Sequence, residues 1–121
     1  MVGVLLMSGV IMGRGKREPE IPQTIDEQCA IMFRHIRDIV AGADGSPDDI
    51  VKMTVWLSDP SDRSALNRGW VKIFPDADNR PARHTLPLEP GSPVLVQCDF
   101  TAVSHLHRLV IANFYSGALY N

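Results

Sequence analysis

Ile50-Val51-Lys52-Met53-Thr54-Val55-Trp56-Leu57 is the stretch on which the fold turns. Val51, Met53, Val55 and Leu57 form a wholly apolar set, whereas the alternate positions mix Ile50 and Trp56 with Lys52 and Thr54. That two-residue period predicts a strand with one face on a core. Upstream, Thr24 opens a helix and Glu27, three places on, completes a capping box. Ile25, Cys29, Met32, Phe33, Ile36, Ile39 and Val40 recur at helical spacing as one apolar stripe, and Gly42 marks its stop. Downstream, Pro60 or a residue beside it opens a second helix capped by Asp59, carrying Ala65, Leu66, Trp70, Ile73 and Phe74 inward until Asn79-Arg80-Pro81 breaks it.

Beyond these elements the signals are again those of strands. His84–Leu88 reads as a short one, and residues 94–103 alternate Val94, Val96, Cys98, Phe100 and Ala102 against Leu95, Gln97, Asp99, Thr101 and Val103. The apolar run from Val2 to Met12 reads as one buried strand. It is interrupted by Ser8-Gly9 and falls far short of the roughly 20 residues of a membrane span. Leu109–Tyr120 is a last strand candidate, weakened by Gly117. The order of strand, helix, strand, helix, strand, strand predicts an α+β domain, a mixed sheet with two helices on one face. The other face, with Trp56, Leu95 and Val103 among polar groups, is too apolar to stay wet, and self-association is one way to cover it.

Length and composition agree. At 121 residues, with 45% hydrophobic and 21% charged residues, the chain has room for a single domain spanning 1–121 and a packed core. A formal charge of −2 gives no global support for a sequence-independent grip on nucleic acid. Cys29 and Cys98, the 2 cysteines, are too few for a disulfide scaffold and read as buried packing residues of a reducing, cytoplasmic setting.

Three stretches read together resemble the YjgF/RidA family. Asp48 to Leu57 is similar to its "DIVKTTVFL" strand, Asn67 to Phe74 with Arg80-Pro81-Ala82-Arg83 to its "N-x-x-Y-x-x-FF … PAR" segment, and Val94 to Val103 to its "V-x-I-E-I-E-A-x-A" strand. Leu6-Met7-Ser8-Gly9-Val10 resembles the earlier "L-x-x-S-G-Q" strand end. The resemblance implies a chorismate-mutase-like α+β fold, a homotrimer with sites in clefts between subunits, and no metal or bound cofactor. The implied activity is hydrolysis of reactive 2-enamine or 2-imino acids to 2-oxo acids and ammonia. A non-catalytic trimer binding a small carboxylate-bearing metabolite such as a 2-oxo acid is the alternative. Ribonuclease activity, attributed to some relatives, fits poorly with the acidic balance and the lack of a basic stripe with interleaved aromatics.

Carried over residue by residue, Arg83 is the carboxylate anchor, its planar guanidinium matched to a bidentate carboxylate; the blander role is a salt bridge. Ser8 and Asn67 are implied near the substrate, against a strand-end turn and an exposed helix position. Gln97 stands where active members carry a water-orienting Glu, and an amide forgoes general-base catalysis on the order of 10²–10⁴-fold. Asp99 matches the second Glu. Thr85 replaces a frequent Cys, leaving a backbone role open. His84 is expected on the strand face opposite Arg83. His35 is expected on a solvated helix face, and His105-x-His107 lacks a third metal ligand nearby.

The family's opening strand, whose Tyr covers the ligand, is met at the other end of this chain. Tyr115–Asn121 followed by Val2–Gly9 gives "YSGALYN-VGVLLMSG" in the family's spacing, so a circular permutation is expected. On that reading 109–121 is the equivalent of the N-terminal strand, Tyr115 covers the ligand, Ser104–Arg108 forms the new connection, and 113–120 pairs antiparallel with 3–9. An unrelated C-terminal extension is the alternative.

Overall fold

The computed structural model describes residues 3–15 and 20–105. Its elements are β1 (Gly3–Met7), β2 (Ile11–Met12), α1 (Ile25–Gly42), β3 (Ile50–Leu57), α2 (Arg63–Ile73), β4 (Ala82–Pro87) and β5 (Val96–His105). One mixed sheet runs in the order β1-β5-β3-β4, with β2 also on β5. β3 and β4 are parallel, whereas β5 is antiparallel to β1, β2 and β3. Met32, Phe33, Ile36 and Val40 of α1 and Leu66, Trp70 and Ile73 of α2 are buried with Met53, Val55, Val96, Cys98 and Phe100 of the sheet. Both helices therefore cover one face, as the pattern requires.

Three expectations need correction. The apolar run 2–12 is not one strand. Ser8 turns its hydroxyl onto β5, accepting from the Phe100 amide at 2.9 Å and donating to the Gly9 carbonyl at 2.8 Å, and this separates β1 from β2. In β3 a bulge between Ile50 and Lys52 resets the alternation. Ile50 is consequently buried and Val51 exposed, the reverse of strict period two. α2 ends at Ile73, well before Asn79-Arg80-Pro81, because Pro75 follows its C-cap Phe74 and cannot continue the helix. α1 ends at Gly42, where the sequence marks its stop, with Ala43 as C-cap and Asp44 in the left-handed turn at φ 60°. Two smaller differences accompany these: Ile39 of the predicted stripe is exposed, and Ser104-His105 belong to β5 rather than to a connection.

The helix starts follow the sequence. Thr24 caps α1 by accepting from the Glu27 amide at 3.2 Å. Asp59 accepts from the Ser61 amide at 2.9 Å, opening a short 3-10 turn over Pro60–Asp62 that leads into α2. Cys29 and Cys98 are buried and unbridged. Burial pushes the Cys29 thiol up to about 12, and the Cys98 thiol upward as well. Residues 106–121 lie outside the described residues, and with them the Leu109–Tyr120 strand, Tyr115, His107 and the permuted pairing.

One buried polar side chain escaped the periodicity. Gln28, on the inward face of α1, is fully buried, donates to the Pro22 and Pro93 carbonyls at 2.7 and 2.9 Å, and accepts from the Leu95 amide at 2.9 Å. It ties the entry to α1 to the loop that feeds β5. Gly13 must approach this point closely, since a Cβ there would collide with the Gln28 backbone.

Candidate functional site

Arg83 lies on β4 in register with Met53 of β3, a core residue, so its side chain projects to the helical side of the sheet. There the guanidinium lies over the Trp70 ring of α2, 4.9 Å from its centroid, a cation–π contact. One of its nitrogens, Nη1, is buried and has no hydrogen-bond partner among the described residues. Burial, and after it the charge of Arg63, holds Arg83 below the ordinary arginine range. Among the described residues neither Arg83 nor Arg63 pairs with a carboxylate.

Thr85 pairs with Val55 and so faces the same side as Arg83. With Arg63 it borders a cavity of about 310 Å³ whose remaining walls are Leu57, Pro60, Leu86 and Pro87. Asn67 is exposed on α2, one turn beyond Arg63 and three residues before Trp70, and its side chain is unengaged among the described residues. Arg83 and Thr85 thus share the helical side of the sheet at the seam between β4 and α2, and Asn67 is exposed on α2 itself. Arg63 was not singled out by sequence reasoning. Its helical spacing to Asn67 and Trp70 was the available signal.

Gln97 is placed elsewhere. It pairs with Trp56 on one side and Met12 on the other, between the buried Val96 and Cys98, and so faces away from the helices. Asp99 and His84 share that outer face, both paired with Thr54. His84 therefore opposes Arg83, as strand geometry predicts. Ser8 lies against β5, while Arg83 is on β4, beyond β3. At the spacing of adjacent strands this is about 14 Å across the sheet. The Ser8 hydroxyl is occupied by the strand-end contacts described above. His35 is half-buried on α1, with Nε2 2.6 Å from the Arg14 carbonyl in a contact at the exposed surface. Among the described residues no three His, Cys, Asp or Glu side chains converge as metal ligands.

A single mixed sheet, two helices on one face, and an unpaired arginine at the helix–sheet seam define a small α+β protein with a candidate anion-binding cleft. The chain belongs to the family described as Endoribonuclease L-PSP, whose model matches residues 2–93, and this is the YjgF/RidA grouping its motifs resemble. TdcF of Escherichia coli K12, whose name carries the description "reactive intermediate deaminase", is 33% identical over 55 residues, covering 46% of this chain and 43% of TdcF. The mitochondrial protein mmf1 of Schizosaccharomyces pombe is 29% identical over 103 residues, 79% of this chain and 60% of that protein. The chain thus matches only about half the length of such curated relatives. Among solved structures, E. coli TdcF with bound serine superposes with a TM-score of 0.75 at 23% identity, over 85% of this chain and 86% of that one. A YjgF-family protein of Neisseria meningitidis gives a TM-score of 0.69 at 22% identity, over 84% and 80%. At such identities the structural likeness establishes the shared fold.

Proposed function

We propose that this protein binds 2-imino or 2-enamine acids through Arg83 and hydrolyses them to 2-oxo acids and ammonia. The observation that carries the reading is the buried, unpartnered Nη1 of Arg83 above Trp70: a desolvated donor that a substrate carboxylate would satisfy. In the reaction, water adds its oxygen to C2 of the imine and the nitrogen is protonated. The resulting carbinolamine then expels ammonia and leaves the carbonyl. Gln97 orients the water through its amide oxygen, but its neutral amide does not take up the proton, which passes to solvent or to the substrate nitrogen. Thr85 contributes its backbone, and Asn67 and Tyr115 complete the site by family analogy, while Ser8, its hydroxyl engaged by the Phe100 amide and the Gly9 carbonyl, shapes the strand end.

Arg83 and Gln97 lie on opposite faces of one sheet, so one ligand meets both only where a second copy brings its outer face to the first copy's cleft. A homotrimer with intersubunit clefts supplies that arrangement. Exposed Leu5, Met7 and Val103 on the outer face are the surface it would bury. β1 has an open edge among the described residues, and pairing of 113–120 along that edge is our reading of the permutation. Hydrogen exchange tests it: β1 amides directed away from β5 are expected to be protected, and to lose protection on deletion of 109–121. Two buried free thiols suit a reducing, cytoplasmic setting. Among the described residues no helix is long and apolar enough to cross a membrane.

Gln97 in place of a carboxylate favours a second reading, a non-catalytic 2-oxo acid binding trimer. Generating 2-aminoacrylate with a dehydratase and following 2-oxo acid release separates the two. Acceleration that Arg83→Ala abolishes supports hydrolysis. No acceleration, with 2-oxo acid binding that Arg83→Ala removes, supports the binding trimer. Acceleration unaffected by Arg83→Ala refutes the site. The ribonuclease reading, carried by the family's name, has little support from a net charge of −2.

A further inference from the structure

Resting on the reading of the Arg83 cleft as the ligand site, we infer that Arg63 makes this cleft selective for ligands with a second acidic group, 2-oxo or 2-imino dicarboxylic acids. Arg63 borders the cavity of about 310 Å³ beside Thr85, which faces the same side of the sheet as Arg83. Its position is electrostatically poor twice over. It is the first residue of α2, where the positive end of the helix disfavours a cation, and the N-cap Asp62 offers that end no side-chain hydrogen bond. Across the cavity stands Thr85, two residues from Arg83 on the same face of β4, and the like charge of Arg63 acts on Arg83. Nearby acidic residues do not neutralise Arg63: the Asp59 carboxylate accepts from the Ser61 amide, and neither Asp59 nor Asp62 forms an ion pair with Arg63 among the described residues.

Two guanidinium groups without a carboxylate between them are complementary to a ligand that supplies two. One carboxylate would meet the buried Nη1 of Arg83 and the second would reach Arg63. Arg83 is not itself a wall of that cavity but lies two residues from Thr85 on the same face of β4, so the ligand would run from Arg63 past Leu57, Pro60, Leu86 and Pro87 toward Arg83. The cavity is at the small end of ligand pockets, suited to a diacid of four or five carbons and not to a nucleotide. A 2-oxo monoacid leaves Arg63 unanswered.

Isothermal titration of the full chain with 2-oxoglutarate, oxaloacetate and 2-oxobutyrate tests the inference. At low salt the better-fitting diacid is expected to bind about tenfold tighter than 2-oxobutyrate, as one charge-assisted contact on an exposed arginine implies. Arg63→Gln is expected to bring the affinities within about twofold of one another. Equal affinities in the unmodified protein, or a preference that survives Arg63→Gln, would overturn the inference. A surviving preference together with a smaller assembly in sedimentation would place Arg63 in a subunit contact instead. Failure of the underlying site reading looks different. Retention of all binding in Arg83→Gln, while Arg63→Gln still erases the preference, removes Arg83 as the anchor but keeps the role of Arg63. Binding of none of the three acids removes both.

Discussion

Replacing Gln28 with Leu keeps the volume of the side chain and removes everything polar about it, which makes the cost calculable from the structure. The amide donates to two carbonyls, Pro22 and Pro93, and accepts from the Leu95 amide, all at 2.7–2.9 Å, in a side chain with no exposed surface. At about 1 kcal/mol net per hydrogen bond the loss is about 3 kcal/mol. Water can reach the exposed Pro93 carbonyl and lower that figure, whereas the half-buried Leu95 amide, left without an acceptor, raises it. We expect a net destabilisation of about 2–4 kcal/mol, read as a fall of about 1–3 M in the urea midpoint at unchanged slope. Gln28→Glu should cost at least as much at neutral pH, because a carboxylate cannot donate to the two carbonyls. Because Leu95 feeds directly into β5, the Leu95 and Val96 amides should also exchange faster with solvent deuterium. A Gln28→Leu protein within about 0.5 kcal/mol of the original would refute the reasoning and mean that the loops are held by packing alone.

Gly13→Ala should be more damaging than a surface Gly→Ala change, by about 2 kcal/mol or more, because its Cβ would collide with Gln28 backbone that cannot move aside; thermal unfolding measures it. Both thiols should resist a thiol reagent such as DTNB at pH 8 in the folded protein and react fully in denaturant, since burial holds Cys29 up to about 12 and Cys98 also upward; rapid labelling of the native protein would contradict the packing. Ser8→Ala should lower stability by about 1–2 kcal/mol through the orphaned Phe100 amide, and 2-oxo acid affinity that falls while stability is unchanged would instead place the hydroxyl on the ligand. Leu5→Lys with Met7→Lys, at positions 61% and 69% exposed, should leave the monomer fold nearly untouched while dispersing the proposed trimer in sedimentation; a trimer that persists would show that the outer face is not the contact surface.

The legible parts of the fold were those in which one physical pattern ran unopposed. α1 and β5 announced themselves because burial on a single face imposes periods of 3.6 and 2, and Thr24 and Asp59 because their side chains satisfy amide donors at helix starts. The pattern failed where a local hydrogen bond or an irregular pairing cut across it. Ser8 splits an apolar run by bonding to Phe100, and the bulge at Ile50/Lys52 exchanges the environments of Ile50 and Val51. Gln28 was invisible to hydrophobic counting, although a polar residue within the α1 stripe, beside Cys29 and four before Met32, is the position where a buried amide should be suspected. At the site, Arg83 was legible through the resemblance of its Pro-Ala-Arg segment, and its opposition to His84 through strand parity. Arg63 was missed, because its helical spacing to Asn67 and Trp70 was a faint signal and nothing near it in sequence says that β4 passes beside the start of α2.

The division of candidate residues between the two faces of the sheet bears on how this protein could act at all. A strand presents neighbouring side chains to opposite sides, so β4 sends Arg83 toward the helices and His84 away, and β5 sends Gln97 away between two core residues. Side-chain rearrangement cannot bring Arg83 and Gln97 together, because the intervening layer is the packed sheet itself. A slip of one residue would do so only by exposing Cys98 and Phe100 and burying Asp99. Chemistry that uses both residues therefore requires the outer face of one copy against the helical seam of another. The same face carries the exposed Leu5, Met7 and Val103, apolar surface that a solitary domain would leave in water. Self-association thus answers a physical problem of the surface and a geometric problem of the site, and a protein that bound 2-oxo acids fully as a monomer would need Arg83 alone, with no part for Gln97.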